Sequence, residues 1–303
     1  MIPTSSAPFF FMANKKMFDA AGVQLPKEWT AEEFRQISKK LTKGEGQNKI
    51  YGNMWTTWDG VPFTPTYVAL GSDSYLNSDR SASNFNNPLF KQSLKLRYDM
   101  QNVDKSELPY VEIVSQKLDE RQLFMSEKVA IIYTGTWRIG TVKNTQQYPH
   151  DFIAAFLPMF KLTKDQKDLY YPGGQGDFLV MNAKSTNKDA TWEFINYWST
   201  EGSYDMATIA AKIPAWKKAD AQKISTAILG ENPEKLFDVE SFKRVVLQWD
   251  GKSHGDINPK ALPQIQKVLK EEHEKYFTDT QDLDKTMQNI ISKSDKLIKE
   301  AKD

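Results

Sequence analysis

The chain has 303 residues, and its 40 Lys and Arg nearly balance its 39 Asp and Glu, for a formal net charge of +1. Because nucleic-acid-binding proteins usually concentrate positive charge on one face, this balance argues against a nucleic-acid partner. No apolar run approaches the roughly 18 residues of a membrane helix, so we predict no direct membrane insertion. The absence of cysteine excludes disulfides, thiolate metal sites and cysteine nucleophiles.

Aromatic residues are the unusual part of the composition, since 8 Trp, 12 Tyr and 17 Phe make up 12% of the chain. Large aromatic side chains mostly fill protein cores, and we expect the same for most of these. The number of Trp residues nevertheless favours a surface that stacks on flat, weakly polar ligands, and sugar rings have that character.

The N-terminal segment predicts a strand and a short helix. Residues 2–12 are the strand candidate, and Asn14 is a favourable N-cap for a helix over residues 15–21. Gly22 then supplies the left-handed residue that commonly ends a helix.

A second helix is predicted immediately afterwards. Thr30 and Glu33 match the capping box, in which each residue satisfies a backbone N–H of the other. Phe34, Ile37 and Leu41 follow at helical spacing, so one apolar stripe of this helix faces a core.

The rest of the chain alternates short strands with longer helices. Strands are predicted as short apolar runs at residues 9–12, 129–134, 152–157 and 177–181. Helices are predicted at residues 88–101, 113–126, 188–199, 261–276 and 281–300. This mixture predicts an α/β fold. The last two helices are amphipathic and should pack on the body, although an interaction module that dimerises through them is an alternative.

Four segments carry a family pattern when they are read together. The first joins Asn14-Lys-Lys-Met-Phe18 to Pro26-Lys-Glu-Trp29 and Thr30-Ala-Glu-Glu-Phe34, and the others are residues 124–138, 152–158 and 171–199. In this order they resemble the family 1 extracellular solute-binding proteins of ABC importers, the group of sugar receptors that includes the maltose-binding protein. The resemblance implies a two-lobe, type II periplasmic-binding-protein-like α/β fold.

The resemblance also implies a domain organisation. It makes residues 1–7 a hinge strand, 8–148 the C-terminal lobe, 149–212 a remnant of the N-terminal lobe, and 213–303 the C-terminal lobe again with the C-terminal helices. We expect most of the N-terminal lobe to be absent, so that the remnant exposes apolar surface and the chain binds sugar weakly or not at all. The resemblance implies an extracytoplasmic location, as a surface lipoprotein or in the periplasm, with the targeting segment missing from this chain.

Trp137 is the strongest candidate for ligand contact. It follows a strand that ends near Thr134, and in the resembled family the Trp at this place stacks on the ligand. A buried core position is the alternative. The neighbouring Arg138 could donate hydrogen bonds to ligand hydroxyls or pair with a surface carboxylate, and the sequence does not separate these two roles.

Trp58 and Asp59 form a second candidate site. An aromatic ring beside a carboxylate can stack on a sugar face while the carboxylate accepts from its hydroxyls. The alternative is a buried Trp pair, Trp55 and Trp58, with Asp59 in a turn. Gly174 and Gln175 lie in a glycine turn that resembles the family's ligand loop, and Ser6 and Trp216 are candidates because they lie beside predicted hinges.

No catalytic or metal-binding pattern is present. The three His residues lack metal-ligand spacing, and no G-x-S-x-G occurs. We therefore predict neither a cofactor nor enzymatic activity. The resemblance implies a protein that captures a sugar or oligosaccharide and delivers it to the membrane permease of an ABC importer, and a carbohydrate-active enzyme such as a glycoside hydrolase is the alternative.

Overall fold

The computed structural model describes residues 1–58, 60–248 and 252–301. Its strands are β1 (Ile2–Ser6), β2 (Phe9–Asn14), β3 (Tyr51–Met54), β4 (Val129–Gly135), β5 (Ala154–Leu157), β6 (Gln175–Leu179) and β7 (Ile213–Pro214). Its α-helices are α1 (Lys15–Ala20), α2 (Ala31–Leu41), α3 (Thr64–Leu70), α4 (Pro88–Tyr98), α5 (Tyr110–Gln116), α6 (Glu120–Met125), α7 (Ile139–Lys143), α8 (Lys188–Ser199), α9 (Ser203–Ala210), α10 (Ala221–Leu229), α11 (Val239–Phe242), α12 (Leu262–Phe277) and α13 (Leu283–Glu300).

The predicted caps of the first two helices are confirmed. The Asn14 side chain accepts a hydrogen bond from the Met17 N–H at 3.1 Å, and Gly22 has a φ of +63° beyond the end of α1. At α2 the Thr30 N–H donates to the Glu33 carboxylate at 2.7 Å, while the Glu33 N–H donates to the Thr30 hydroxyl at 3.3 Å. These local signals were readable because each involves residues within one turn of the helix.

Most of the core surrounds the larger sheet. Within the described residues its strand order is β3–β4–β2–β5, with β2 antiparallel to β4 and to β5, and β3 parallel to β4. Side chains of β2 alternate between two apolar clusters, with Phe10 and Met12 on one face and Phe11 and Ala13 on the other. Helices cover both faces, so this central strand is apolar from Phe9 to Ala13.

A smaller sheet has the strand order β6–β1–β7 in the described part of the chain, with β1 antiparallel to both neighbours. The chain crosses between the two sheets three times, and the crossings run side by side. The Ala7 N–H donates to the Gly174 carbonyl at 3.0 Å, and the Ala215 N–H donates to the Thr4 carbonyl at 3.2 Å. The three connections therefore form one narrow junction between the sheets.

Two sequence-based assignments differ from the structure. Residues 152–158 were expected to cross into the N-terminal-lobe remnant, but β5 pairs with β2 in the larger sheet, and the crossing occurs at residues 172–174. The predicted helix 113–126 is divided into α5 and α6, because Lys117 adopts a left-handed φ of +53° and Asp119 caps the next helix. The lobe boundaries themselves stay a prediction.

Apolar surface is exposed on the smaller sheet and on helix α8. Trp192, Phe194 and Tyr197 of α8 are each more than half exposed, and Phe178 at the β6 edge is 45% exposed. Exposed apolar surface was expected over the whole of residues 149–212. It is found on β6 and α8, whereas Phe156 in β5 is fully buried.

The two C-terminal helices pack on the body of the protein as predicted. Ile265 and Leu269 of α12 and Ile290 of α13 are fully buried in a cluster that also contains Phe90 and Leu94 of α4. The alternative of a module that dimerises through these helices loses support, because their apolar stripes are already covered within the chain.

Candidate functional site

An open cleft of about 740 Å³ lies at the junction of the two sheets. Four of the predicted ligand residues line it: Ser6, Gly174, Gln175 and Trp216. They come from the three crossings, so residues far apart in the chain meet at one place. Lys217, Ser253 and His254 add polar groups to the same cleft, and Ile213, Val246 and Leu247 add apolar surface.

The glycine turn allows one wall of the cleft to come close to its neighbours. Gly173 and Gly174 have φ values of +98° and +104°, in the region that favours glycine. A Cβ on Gly173 would lie 2.1 Å from the Ala7 carbonyl oxygen, and one on Gly174 would lie 3.0 Å from the Ser253 side chain. Ser6 faces Gln175 in the β1–β6 register, and Gln175 is exposed.

Trp58 and Trp137 belong to one aromatic group centred on Phe9. The Phe9 ring stacks on Tyr133 at 5.5 Å and meets Trp137 edge-on at 5.0 Å. Trp58 lies 6.0 Å from Phe9 and 5.8 Å from Trp137, measured between ring centroids. Trp58 is 49% exposed and Trp137 is partly buried, so the group presents aromatic surface to solvent rather than closing a core.

The aromatic group adjoins the cleft at the glycine turn. A Cβ on Gly173 would lie 3.0 Å from the Phe9 ring, so backbone and ring are in contact there. On the other side, the Tyr67 hydroxyl lies 3.3 Å from the Cβ position of Gly60, and Tyr67 stacks on the His254 ring at 5.2 Å. The predicted ligand residue Asp59 lies outside the described residues.

Arg138 has a partner within the protein. Its guanidinium forms an ion pair with Glu120 at the start of α6 and lies 3.5 Å from the Thr141 hydroxyl. The Arg138 side chain is only 12% exposed. Of the two roles that the sequence left open, the geometry favours the ion pair with a carboxylate.

The sequence patterns did not indicate four further residues of this region: Phe9, Ser253, His254 and Lys217. Phe9 was assigned only to a strand, although it follows the hinge directly. The other three lie in segments with no distinct local pattern, and their place in the cleft depends on contacts across the fold. The Tyr171 N–H, for example, donates to the Lys252 carbonyl at 3.0 Å and the His254 N–H to the Tyr171 carbonyl at 3.0 Å.

The described side chains of the cleft lack the groups that glycoside hydrolysis needs. No Asp or Glu is among the described residues that line it, whereas hydrolysis requires two carboxyl groups roughly 5 to 10 Å apart. Throughout the described ranges, no three His, Cys, Asp or Glu side chains are grouped so that they could hold a metal ion. Stacking and hydrogen bonding are what this cleft can supply.

The position of the Trp137 ring depends on Gly135, and a substitution at Gly135 tests this packing. A Cβ on Gly135 would lie 2.1 Å from the Trp137 ring, so Gly135→Ala should displace the ring and lower the free energy of unfolding by roughly 1–3 kcal/mol. Near-ultraviolet circular dichroism and urea unfolding would measure both effects. Gly140→Ala is the matched control, since a Cβ there meets no atom within 4 Å. Identical spectra for the two variants would contradict the geometry.

Residues 2–205 match the family model described as "Bacterial extracellular solute-binding protein". The chain belongs to this family. The fold agrees, because a crystal structure of a sugar transporter from Rhizobium etli in an open conformation superposes with a TM-score of 0.76 at 21% identity, covering 97% of this chain and 71% of that one. The expected two-lobe, periplasmic-binding-protein-like α/β fold is thereby confirmed.

Two curated relatives of this solute-binding protein are named for the ligands that they bind. A maltotriose-binding protein from Pyrococcus abyssi is 23% identical over 201 residues, which are 66% of this chain and 40% of the relative. The sn-glycerol-3-phosphate-binding periplasmic protein UgpB from Agrobacterium fabrum is 23% identical over 312 residues, covering 98% of this chain and 66% of the relative. The chain therefore spans about 40% to 66% of the length of these two relatives.

Membership in a family of binding proteins supports the prediction that this solute-binding protein is not an enzyme, and the glycoside hydrolase alternative loses its support. None of the helices in the described ranges has both the length and the apolar character to cross a membrane.

Proposed function

We propose that this solute-binding protein captures a sugar or oligosaccharide in the cleft and delivers it to the permease of an ABC importer, outside the cytoplasm as a surface lipoprotein or in the periplasm. The observation that carries the proposal is the partly exposed aromatic group of Phe9, Trp58 and Trp137 beside the open polar cleft. The name of the maltotriose-binding relative supports a carbohydrate as the ligand.

The ligand would be bound by stacking and by a few polar groups. The apolar C–H face of a sugar ring packs on an aromatic ring, and its hydroxyls then point sideways to hydrogen-bonding groups. Ser6 and Gln175 supply such groups from one wall, and Gly174 lines the same wall. Trp216 adds a further ring at the third crossing. Arg138 would contact the ligand only if the ligand displaced Glu120 from its ion pair with Arg138.

We also propose that the three crossings act as a hinge between two lobes. The larger sheet with its helices forms one lobe, and β1, β6 and β7 with α8 and α9 form the remaining part of the other. This assignment keeps residues 1–7 as the first hinge strand and moves the predicted boundary from 149 to about 173, since β5 pairs with β2. Closure of the lobes would bury the ligand and create the state that a permease recognises.

Sugar binding can be tested by titration with maltotriose, followed by NMR chemical-shift changes. The cleft is open, and tight sites bury most of the ligand surface, so we expect dissociation constants of about 1 mM. Trp137→Ala and Trp58→Ala should each weaken binding roughly tenfold, because each removes a stacking surface. Trp192→Ala is the control, since this exposed Trp lies on α8, away from both the cleft lining and the aromatic group around Phe9.

The titration has two outcomes that would refute the proposal. One is the absence of any shift in residues of the cleft up to tens of millimolar maltotriose. The other is a loss of affinity in Trp192→Ala that equals the loss in Trp58→Ala and Trp137→Ala. This would point to a general effect of removing a Trp.

A further inference from the structure

We propose that His254 is a ligand-binding residue whose Nδ1 atom accepts a hydrogen bond from a ligand hydroxyl, and that Asp256 and Ser74 are positioning residues for its ring. This assignment rests on the proposed function and extends it, because it names an acceptor for a neutral, polyhydroxylated ligand.

The backbone places His254 on the cleft wall. The His254 N–H donates to the Tyr171 carbonyl at 3.0 Å, and the Gly255 N–H donates to the Gly71 carbonyl at 2.9 Å. The adjacent Ser253 contacts the glycine turn at Gly174. The segment is thus attached to the connection that leads into the second crossing and to the loop after α3, and His254 lines the cleft between them.

The ring has a defined protonation pattern. Its Nε2 atom lies 3.0 Å from the Asp256 carboxylate and 3.0 Å from the Ser74 hydroxyl. An ionised carboxylate can only accept, so Nε2 carries the hydrogen and Nδ1 of the neutral ring keeps a lone pair. Within the described part of the chain both of these contacts use Nε2, so Nδ1 is the ring nitrogen that we assign to the ligand.

Asp256 is held so that it stays ionised. The Ser74 N–H donates to its two carboxylate oxygens at 2.9 and 3.2 Å, and the Asp256 side chain is only 5% exposed. Burial opposes the charged form, but the hydrogen bonds from His254 and Ser74 prevail and lower the pKa of Asp256. A carboxylate behind a histidine in this way orients the ring and selects its tautomer.

Neighbouring groups restrict the ring further. The His254 ring packs against the buried Tyr67 at an interplanar angle of 33°, and Tyr67 lies close to Gly60. Lys252, two residues before His254, forms an ion pair with Asp168. His254 is therefore held between the Tyr67 ring and the segment that contacts the glycine turn.

Maltotriose titrations at pH 8 test the assignment, with ring ¹⁵N NMR of the ligand-free protein as a readout that needs no ligand. We expect Nε2 to carry the hydrogen at pH 8. His254→Ala should weaken maltotriose binding about fivefold, the value of one neutral hydrogen bond. His254→Asn places a polar atom near the position of Nδ1 and should recover part of the loss. Asp256→Asn should shift the tautomer and weaken binding about two- to threefold.

A second histidine variant makes the loss in His254→Ala specific, because its affinity for maltotriose at pH 8 should equal that of the wild-type protein. His150→Gln is the control, since the His150 ring bonds to the Tyr148 carbonyl and does not line the cleft. Amide NMR spectra of each variant would show whether the fold is retained.

The possible failures can be told apart. If the wild-type protein binds maltotriose and His254→Ala binds it equally well, only the assignment of His254 is overturned. If the wild-type protein binds no sugar, the proposed function fails and this assignment fails with it. An Nδ1–H tautomer at pH 8 overturns the acceptor role. So does binding of sn-glycerol 3-phosphate that is tighter than that of maltotriose and is lost in His254→Ala, since His254 would then donate to an anion.

Discussion

Glu107→Ala is expected to lower the free energy of unfolding by about 3–5 kcal/mol. Glu107 pairs with Arg97 at 2.6 Å, and their side chains are 0% and 3% exposed. Removal of the carboxylate leaves a buried guanidinium without its counter-charge, and such a group costs far more than the intact pair contributes. Urea unfolding at pH 7 would measure the change.

The Arg97–Glu107 pair is also connected to the candidate site through a series of ring contacts. Gln101 donates to Glu107 at 2.7 Å, and the Arg97 guanidinium lies over the Trp55 ring at 4.4 Å. Trp55 stacks on Tyr133, with ring centroids 4.8 Å apart, and Tyr133 in turn stacks on Phe9. Burial raises the pKa of Glu107, and the charge and hydrogen bonds of Arg97 oppose this rise. We therefore expect Glu107→Ala to disturb the aromatic group as well.

Two further variants make this prediction specific. Lys15→Ala removes an exposed pair with Asp19 at 2.7 Å and should change stability by no more than about 0.5 kcal/mol. The double variant Arg97→Met/Glu107→Leu removes both charges together, so it should be more stable than Glu107→Ala alone. A loss below about 1 kcal/mol in Glu107→Ala would show that the charge of Arg97 is compensated in another way.

The second large effect is a loss of stability of roughly 3 kcal/mol between pH 6.5 and pH 4, caused by His273. His273 is 1% exposed and its Nδ1 donates to the Leu269 carbonyl at 2.8 Å. Burial lowers the pKa of His273 to about 4 from its usual 6.5. In this pH range the unfolded chain binds a proton that the folded protein does not, so acidification favours unfolding.

The carboxylate of Glu272, the residue before His273, titrates in a lower pH range. Burial would raise the pKa of Glu272, but hydrogen bonds from Lys275, Lys293, Gln281 and Asn289 prevail and lower it to about 2 from its usual 4.5. Its stabilising contribution is present above pH 4.5 and is lost as the pH falls towards 2. Glu272 therefore does not cause a loss above pH 4.5, and Glu107, whose pKa burial raises, would change the stability in the opposite direction.

His273→Phe should flatten the dependence of stability on pH between 6.5 and 4.5, because the replacement is neutral at every pH. The site is lined by aromatic rings, including Tyr110 at 5.1 Å and Phe277 at 5.5 Å, and accepts an apolar ring. Urea unfolding at pH 7, 5.5 and 4.5 would give the slopes. His150→Gln serves as the control and should retain the wild-type slope. An unchanged slope in His273→Phe would exclude His273 as the cause.

Local features of the fold could be predicted with accuracy. The helix caps at Asn14 and Thr30 depend on residues three positions apart, and α8 begins and ends within a residue of its predicted bounds. The β5 strand was also located, but its sheet partner was not. Pairing of β5 with β2 joins residues about 140 positions apart, and no local pattern encodes that distance.

The sequence by itself determined the family, the α/β class and three aromatic residues in or near the cleft, Trp58, Trp137 and Trp216, because these depend on motif order and on local patterns. The tertiary structure alone decided that Ser6, Gly174, Gln175 and Trp216 meet in one cleft and that Arg138 pairs with Glu120. It also brought His254 to the cleft and Asp256 behind it. These outcomes depend on backbone hydrogen bonds between distant segments, which form only when the crossings between the sheets are in place.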